Sequence, residues 1–407
     1  MVRQTSGGEH HATASGVPVI DVDPYSTDVL TNPYRFHHEL REAGPVVWLE
    51  PYGVWATGRY EQVRGVLTDW QTFMSGAGVG LTDLRVDSWR PPSLLLEADP
   101  PEHTKVRSII ERVLSPRAVK VLRDRFEVRA EALVDSLVSA GGFDAVTEFA
   151  EVFPLQVFSD AVGVRKEGRE NLLLYGDMVF NGQGPRNELF KASTENLDEV
   201  RAWIMDSCRR EALEPGGFGA RNYESVDEGE ISEEEAGMLV RSFLSAGVDT
   251  TISALGTAVY LLATEHDQWD LLRADPSLAR AAFEETIRVE SPVQVFSRTA
   301  TRDTEVAGME VAKDERVMIF FGAANRDPRR WEDPDRFDVT RRSAGHLAFG
   351  AGIHGCVAKA VARIEGEVLL GALARKVGRI ELDGEPQRHL NNTVRSFARL
   401  PVAFHAP

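Results

Sequence analysis

The run Phe349-Gly350-Ala351-Gly352-Ile353-His354-Gly355-Cys356 brings together alternating glycines, a histidine and a lone thiol. A helix-favouring segment, 357–373, follows at once. A thiol at the start of a helix meets orphan N–H groups and the positive end of the helix dipole. Both favour thiolate over thiol, so Cys356 is expected to be a low-pKa sulfur. Gly350 and Gly352 let the backbone turn, or approach a flat partner, where a Cβ would clash. Three chemistries fit such a loop. One is an anion cradle, although no Lys-Ser/Thr pair follows the glycines. Another is a nucleophilic cysteine, which needs a base held against it; two residues of separation do not put His354 in contact. The third is a thiolate ligand to haem iron.

A second unusual stretch is Ala246-Gly247-Val248-Asp249-Thr250-Thr251, polar and glycine-bearing inside an otherwise apolar helical pattern. That pattern opens at Ser232-Glu233-Glu234-Glu235 as a capping box and reads without a breaker to about Glu265. Glycine in a helix interior costs ~1 kcal/mol against alanine, and Thr hydroxyls can bond back to the preceding turn and bend it. The stretch is either a kink in a core helix or a groove for dioxygen. In the second case Gly247 clears space, Thr250 hydrogen-bonds the bound oxygen and Asp249 feeds protons. Ser242, Ser245 and Asp249 share one helical face, and buried hydroxyls there would want partners.

Other pairs are weaker alone. His103 and Arg107 share one helix face, Lys105 and Arg112 the other. Glu285 and Arg288 lie one turn apart, and Arg336 follows in Pro334-Asp335-Arg336-Phe337. The strand expected over 293–300 points Phe296 and Arg298 to one side.

The elements that must position these residues are mostly helical. Helices are expected over 34–43, 60–68, 101–141 with interruptions, 146–162, 166–181 and 187–213. A hairpin turns at Pro51-Tyr52-Gly53, and the long irregular stretch 71–100 carries the functional weight that ordered long loops usually do. Residues 214–230 read as loop. Residues 1–16 are polar and read as a disordered tail, which leaves 17–407 as one catalytic domain. The formal net charge of -17 argues against a general nucleic-acid binder. No run approaches the ~18 consecutive apolar residues of a membrane span. Two cysteines make no disulfide framework, which fits a reduced cytoplasmic setting, and Cys208 reads as a partly packed thiol.

Phe-Gly-x-Gly-x-His-x-Cys resembles the haem-ligand loop of the cytochromes P450, and the other motifs occur in that family's order over about 17–404. Ala98-Asp99-Pro100-Pro101-Glu102-His103-Thr104-x-x-Arg107 resembles the helix that holds a haem propionate, and Gly247-Val248-Asp249-Thr250 resembles the family's acid–alcohol pair. The resemblance implies a mainly α fold with small β-sheets, a prism with haem between the long helix and the cysteine loop. It implies haem b on Cys356, with Phe349 and Gly350 against it and His103, Arg107, Arg298 and His354 on its propionates. It makes Asp249 and Thr250 the proton-delivering pair, and Glu285, Arg288 and Arg336 a structural lock. The implied activity is O2-dependent monooxygenation. Electrons from NAD(P)H would arrive through a ferredoxin and its reductase, docking near Lys105, Arg112, Lys359 and Arg363. Nothing demands more than a monomer.

Within the family, Ser88-Trp89-Arg90-Pro91-Pro92-Ser93, Val179-Phe180-Asn181, Val240-Arg241-Ser242-Phe243-Leu244-Ser245 and Ser291-Pro292-Val293-Gln294 resemble the bacterial branch that oxidises para-substituted benzoic acids. This implies a carboxylate held by Arg90, Ser93, Ser242 and Ser245, a ring walled by Phe180, Val293 and Phe296, and Arg241 among the other substrate contacts. Hydroxylation or O-demethylation of a compound such as 4-methoxybenzoate would follow. Two positions depart from that branch. Gln183 stands where a bulky aromatic is expected, and Ala358 replaces the glycine two residues after the cysteine. The alternatives are a P450 for another small hydrophobic or natural-product substrate, a peroxide-driven P450, and a non-enzymatic haem protein.

Overall fold

The structure, a computed structural model, describes residues 16–407. The tail expected over 1–16 therefore lies, except for Gly16, outside the described residues. Helices carry about 50% of the chain, and short strands form small sheets. The largest sheet takes β1 (Val19–Ile20), β2 (Val47–Leu49), β3 (Val54–Thr57), β4 (Phe73–Met74), β5 (Val295–Ala300) and β6 (Arg316–Phe320). Their spatial order is β1-β2-β3-β6-β5-β4. The expected hairpin is β2–β3, with Val47 opposite Ala56. In the antiparallel pair β5–β6, Phe296 faces Ile319 and Arg298 faces Val317, so both side chains leave one face of β5.

Seven helices position the site. They are α1 (Glu102–Val113), α2 (Pro116–Ala140), α3 (Asn171–Asn181), α4 (Glu233–Ala246), α5 (Asp249–Thr264), α6 (Ala279–Glu290) and α7 (Lys359–Lys376). In α1 the buried positions His103, Val106, Ile110 and Val113 recur at helical spacing, so one stripe faces the core. Helix α5 is buried on nearly every side, through Leu255, Ala258, Val259 and Leu262. It packs against α6, which in turn packs on α7, and α7 lies along α2. The stretch Glu233–Thr264 is long and apolar enough to cross a membrane, yet 67% of its apolar window is buried in the protein, as in a core helix.

The capping box at Ser232 forms: its hydroxyl accepts from Glu235 N at 3.1 Å, and the Glu235 carboxylate accepts from Ser232 N at 2.8 Å. The uninterrupted helix expected from there to Glu265 is instead two helices, α4 and α5, broken at Gly247-Val248. The loop expected over 214–230 contains the helix Phe218–Asp227, whose Phe218 and Tyr223 are buried; Pro215-Gly216-Gly217 hides that stripe from a local reading. The helix expected over 187–213 divides into Glu188–Ser193 and Leu197–Ser207, and that over 166–181 begins only at Asn171.

Candidate active site

Two adjoining lobes of about 220 and 180 Å³ share Leu96, Phe158, Phe180, Gly247, His354 and Cys356 in their walls, and together form one chamber. It lies between the α4–α5 break and the cysteine loop. That loop needs its glycines. Gly350 and Gly352 hold φ of 67° and 68°, and a Cβ on Gly352 would come within 2.5 Å of the Leu67 carbonyl. Cys356 N donates to Phe349 O at 2.8 Å and closes the turn. The Phe349 ring lines the larger lobe under the Arg363 guanidinium, 5.1 Å away.

Helix α7 starts at Lys359, three residues beyond the cysteine. The thiol is therefore governed first by its burial, which pushes its pKa up. The Ala358 N–H and the charges of Arg107, Lys359 and Arg363 pull the other way and do not prevail. This corrects the expectation of a low-pKa sulfur from the helix end alone. A metal at the sulfur reverses the balance, because a coordinating thiol is deprotonated outright. The methyl of Ala358 lines both lobes, and its backbone still reaches the sulfur.

Beside the thiol stands a set of buried donors. The rings of His103 and His354 lie 4.4 Å apart, and all four of their nitrogens are buried without a hydrogen-bond partner among the described residues. Nε2 of His354 is 3.9 Å from Asp99, beyond hydrogen-bond range. Burial lowers the pKa of both, that of His103 to about 4, so they stand neutral at pH 7. Arg298 is buried with its pKa pushed down to about 10 by desolvation, and donates to its neighbour's carbonyl, Ser297 O, at 2.8 Å. Arg107 donates to Gly355 O at 2.7 Å and to Glu111 at 2.8 Å. Buried polar groups without partners are costly. A thiol, apolar walls, and two imidazoles and two guanidiniums beside them fit haem b and its two carboxylates.

Gly247 is required by Phe158, whose ring a Cβ would approach to 2.2 Å. Past the break, the Thr250 hydroxyl donates to Ala246 O at 3.2 Å, taking up a carbonyl that the interrupted ladder leaves, and Thr250 lines the chamber. Asp249 points elsewhere: its carboxyl fills the notch left by Gly176 on α3. The polar stripe expected with Ser242 and Ser245 is thus split by the break, since the serines line the smaller lobe and Asp249 does not. Burial, then the nearby charge of Asp177, push the Asp249 carboxyl well up, and its Oδ2 has no partner among the described residues. A second buried acid went unnoticed in the sequence. Glu365 of α7 lines the larger lobe and is pushed up to about 8 by burial, with Thr251 near enough to oppose the shift. Its context, Arg363-Ile364-Glu365-Gly366-Glu367, reads as a solvated charged face.

At the other end, Arg90, Ser93, Arg241, Ser242 and Ser245 line the smaller lobe, Val293 the larger, and Phe180 and Phe296 both. Arg90 is not a free cation. Glu97, seven residues on and fully buried, takes its two terminal nitrogens at 2.8 Å each. Arg241 donates to Pro92 O at 2.9 Å. Ser242 and Ser245 bond back to Met238 O and Ser242 O. Gln183 is buried in this wall, and its carbonyl receives Leu81 N at 2.8 Å; Gly80 has no room for a Cβ there. At the position that departs from the expected aromatic, it is thus the backbone carbonyl that ties down the long loop at Leu81.

Glu285 and Arg288 form a buried bidentate pair at 2.7 and 2.8 Å. Arg288 also donates to the carbonyls of Asn325, Pro334 and Arg336. The second guanidinium on Glu285 is that of Arg341 at 2.9 Å, with the Ser343 hydroxyl at 2.6 Å. Arg336 supplies a carbonyl and leaves its side chain exposed, so the expected lock residue is replaced by one five positions later. Of the four basic residues expected to form a docking patch, Lys105 pairs with Glu235, Arg112 with Glu230 and Arg363 with Glu284.

Comparison with known proteins agrees with this geometry. The family description "Cytochrome P450" matches residues 188–392. The chain is 51% identical over 404 residues to cytochrome p450 CYP199A2 of Rhodopseudomonas palustris, covering 99% of this chain and 97% of that protein. It is 33% identical to cytochrome P450 107B1 of Saccharopolyspora erythraea, covering 86% and 88%. Among solved structures, cytochrome P450 CYP109Q5 of Chondromyces apiculatus superposes with a TM-score of 0.80 at 31% identity, over 96% of this chain and 99% of that one. With the thiol loop, the orphaned donors and the broken helix in one chamber, this chain belongs to the cytochrome P450 family of haem-thiolate monooxygenases.

Proposed function

We propose that this monooxygenase oxidises small aromatic carboxylic acids, specifically para-substituted benzoates such as 4-methoxybenzoate, by hydroxylation or O-demethylation. The observation that carries this reading is Arg241. Its guanidinium is buried in the smaller lobe, where desolvation lowers its pKa, and its hydrogen-bond partner among the described residues is a neutral carbonyl. A buried cation held only by a carbonyl is stabilised by an anion brought in by the substrate. Ser93, Ser242 and Ser245 surround that place with hydroxyls, and Phe180, Val293 and Phe296 offer an aromatic slot toward Cys356.

Each residue then has a role. Cys356 would hold the haem iron through its thiolate, and His103, Arg107, Arg298 and His354 would hold the haem carboxylates, with Phe349 and Gly350 shaping the loop. When bound, haem supplies dioxygen activation and C–H oxidation. Arg241, Arg90 and the serines anchor the acid, so that its para substituent is aimed down the chamber; this is catalysis by positioning. Thr250 holds a hydrogen-bonding hydroxyl at the helix break, and Asp249, whose carboxyl burial pushes well above the usual carboxylate range, would carry a proton one residue away. A ferredoxin with its NAD(P)H-dependent reductase delivers the electrons at the face bearing Lys105, Arg112, Lys359 and Arg363. Lys359 and Arg363 already act on the sulfur from there.

The test is a Soret-shift titration of the haem-loaded protein with 4-methoxybenzoate and 4-methoxybenzamide. The acid is expected to bind at least about tenfold more tightly, as one charge-assisted contact implies. Equal affinity rejects the carboxylate anchor.

A further inference from the structure

The anchor contains a negative charge that an anionic substrate does not need. Glu97 accepts from Nη1 and Nη2 of Arg90 and from Ser93 N, each at 2.8 Å, and its side chain is fully buried. Three donors fix it in place. It thereby holds Arg90 and Ser93, both lining residues, in one orientation. What this leaves for a ligand is specific. Nε of Arg90 is buried without a partner among the described residues. The Ser93 oxygen accepts from Leu95 N and Leu96 N, so its proton remains to be donated.

The charges at this end can be counted. Arg90 lies close enough to Arg241 to depress its protonation, and Glu97 acts on both. The other titratable groups acting on Arg241 are Tyr175 and Cys208, and burial pushes both upward, so they are neutral at pH 7. Two guanidiniums against one carboxylate leave a single positive charge. We infer that Glu97 sets the anchor to a net charge of +1 and thereby selects monoanionic acids over neutral and dianionic rings, an assignment that rests on the aromatic-acid reading above. A carboxylate neutralises the subsite. An amide leaves it charged, and a dianion brings one buried negative charge with no counterpart, which a low-dielectric site penalises.

The experiment titrates the haem-loaded protein by its Soret shift with 4-methoxybenzoate, 4-methoxybenzamide and 4-methoxyphenylphosphonate. The phosphonate is measured below and above its second ionisation, with the benzoate as control at both pH values. In the wild type its monoanion should bind about tenfold or more tightly than its dianion, after correction by the benzoate. Glu97→Gln raises the subsite to +2 at nearly constant shape, and the preference should move about tenfold or more toward the dianion. A merely structural Glu97 would weaken all ligands together and leave that ratio unchanged, which would overturn the inference. If the variant takes up no haem, the wild-type comparison decides: a dianion that binds as tightly as the monoanion overturns it. Acid selectivity over the amide together with an indifferent phosphonate removes the Glu97 assignment alone. Equal binding of acid and amide removes the aromatic-acid reading as well.

Discussion

Asp249 and Gly176 compete for one volume: Oδ2 of Asp249 lies 1.3 Å from where a Cβ on Gly176 would stand. The acid of the acid–alcohol pair is therefore seated against α3, away from the chamber wall that Thr250 lines, and the absence of a side chain on α3 is what admits it. The seat is buried, and Asp177 adds a like charge nearby, so the pKa of the carboxyl is pushed well up.

Gly176→Ala should displace that carboxyl and overpack the contact. The expected cost is about 1–3 kcal/mol of stability together with loss of turnover. Asp249→Asn keeps the shape of a neutral acid and should cost less stability than Gly176→Ala. Product formation should nevertheless fall about 10²-fold or more, the scale of a lost proton donor. Thermal melts paired with turnover assays check both variants, and an Asp249→Asn enzyme at wild-type rate would remove Asp249 from the mechanism.

Glu365 gives a pH signature. Its carboxyl is near 4.5 when unfolded and is raised by burial to about 8 in the fold. Between those values the unfolded chain has released a proton that the folded chain keeps. Stability therefore declines as pH rises from about 4.5 to about 8, with no further loss from this group beyond. Glu365→Gln should abolish this slope, and so stabilise the protein more at pH 8 than at pH 5. Denaturation midpoints of wild type and variant across pH 5–9 measure it, and parallel curves would contradict the assignment.

The contrast between what sequence shows and what it hides is physical. The cysteine loop, the capping box at Ser232, the pairing of Glu285 with Arg288 and the shared face of Phe296 and Arg298 are all local. Each depends on spacing within one turn or strand, and the capping box, the ion pair and the shared strand face are found as expected. What was hidden depends on distant partners. Phe158 lies some ninety positions before the Gly247 it packs on, Gly176 some seventy before Asp249, and Arg341 reaches Glu285 from 56 positions later, past strands β5 and β6. Glu97 clamps Arg90 within the aperiodic stretch 71–100, where no period flags the pair. The direction of the Cys356 shift failed for a related reason: burial is a tertiary property, and it outweighs a helix end that begins three residues later.

The lock behind the chamber separates two neighbouring arginines. Arg341→Ala removes one partner from the buried Glu285 carboxylate, which keeps Arg288 and Ser343, and should cost about 1–3 kcal/mol. Arg336→Ala removes an exposed side chain and should stay within about 0.5 kcal/mol. Haem content and melting temperature of the purified variants distinguish them; equal effects would return Arg336 to the lock.

The anchor itself is tested by Arg241→Met, which preserves the packing of the stem and deletes the charge. Affinity for 4-methoxybenzoate should fall by about 2 kcal/mol or more, roughly 30-fold, while 4-methoxybenzamide is little changed. The Soret-shift dissociation constants of the two ligands give the answer. A parallel loss for both would mark a collapsed pocket in place of a lost ion pair.

The central claim, a P450 monooxygenase for para-substituted benzoates, meets its most direct test in one balanced turnover. With ferredoxin, reductase, NADH and O2, 4-methoxybenzoate is expected to yield 4-hydroxybenzoate and formaldehyde in equal amounts, each matching the NADH oxidised. One oxygen atom enters the methyl carbon and the other leaves as water. NADH oxidation without formaldehyde, or equal demethylation of the amide, would contradict the account.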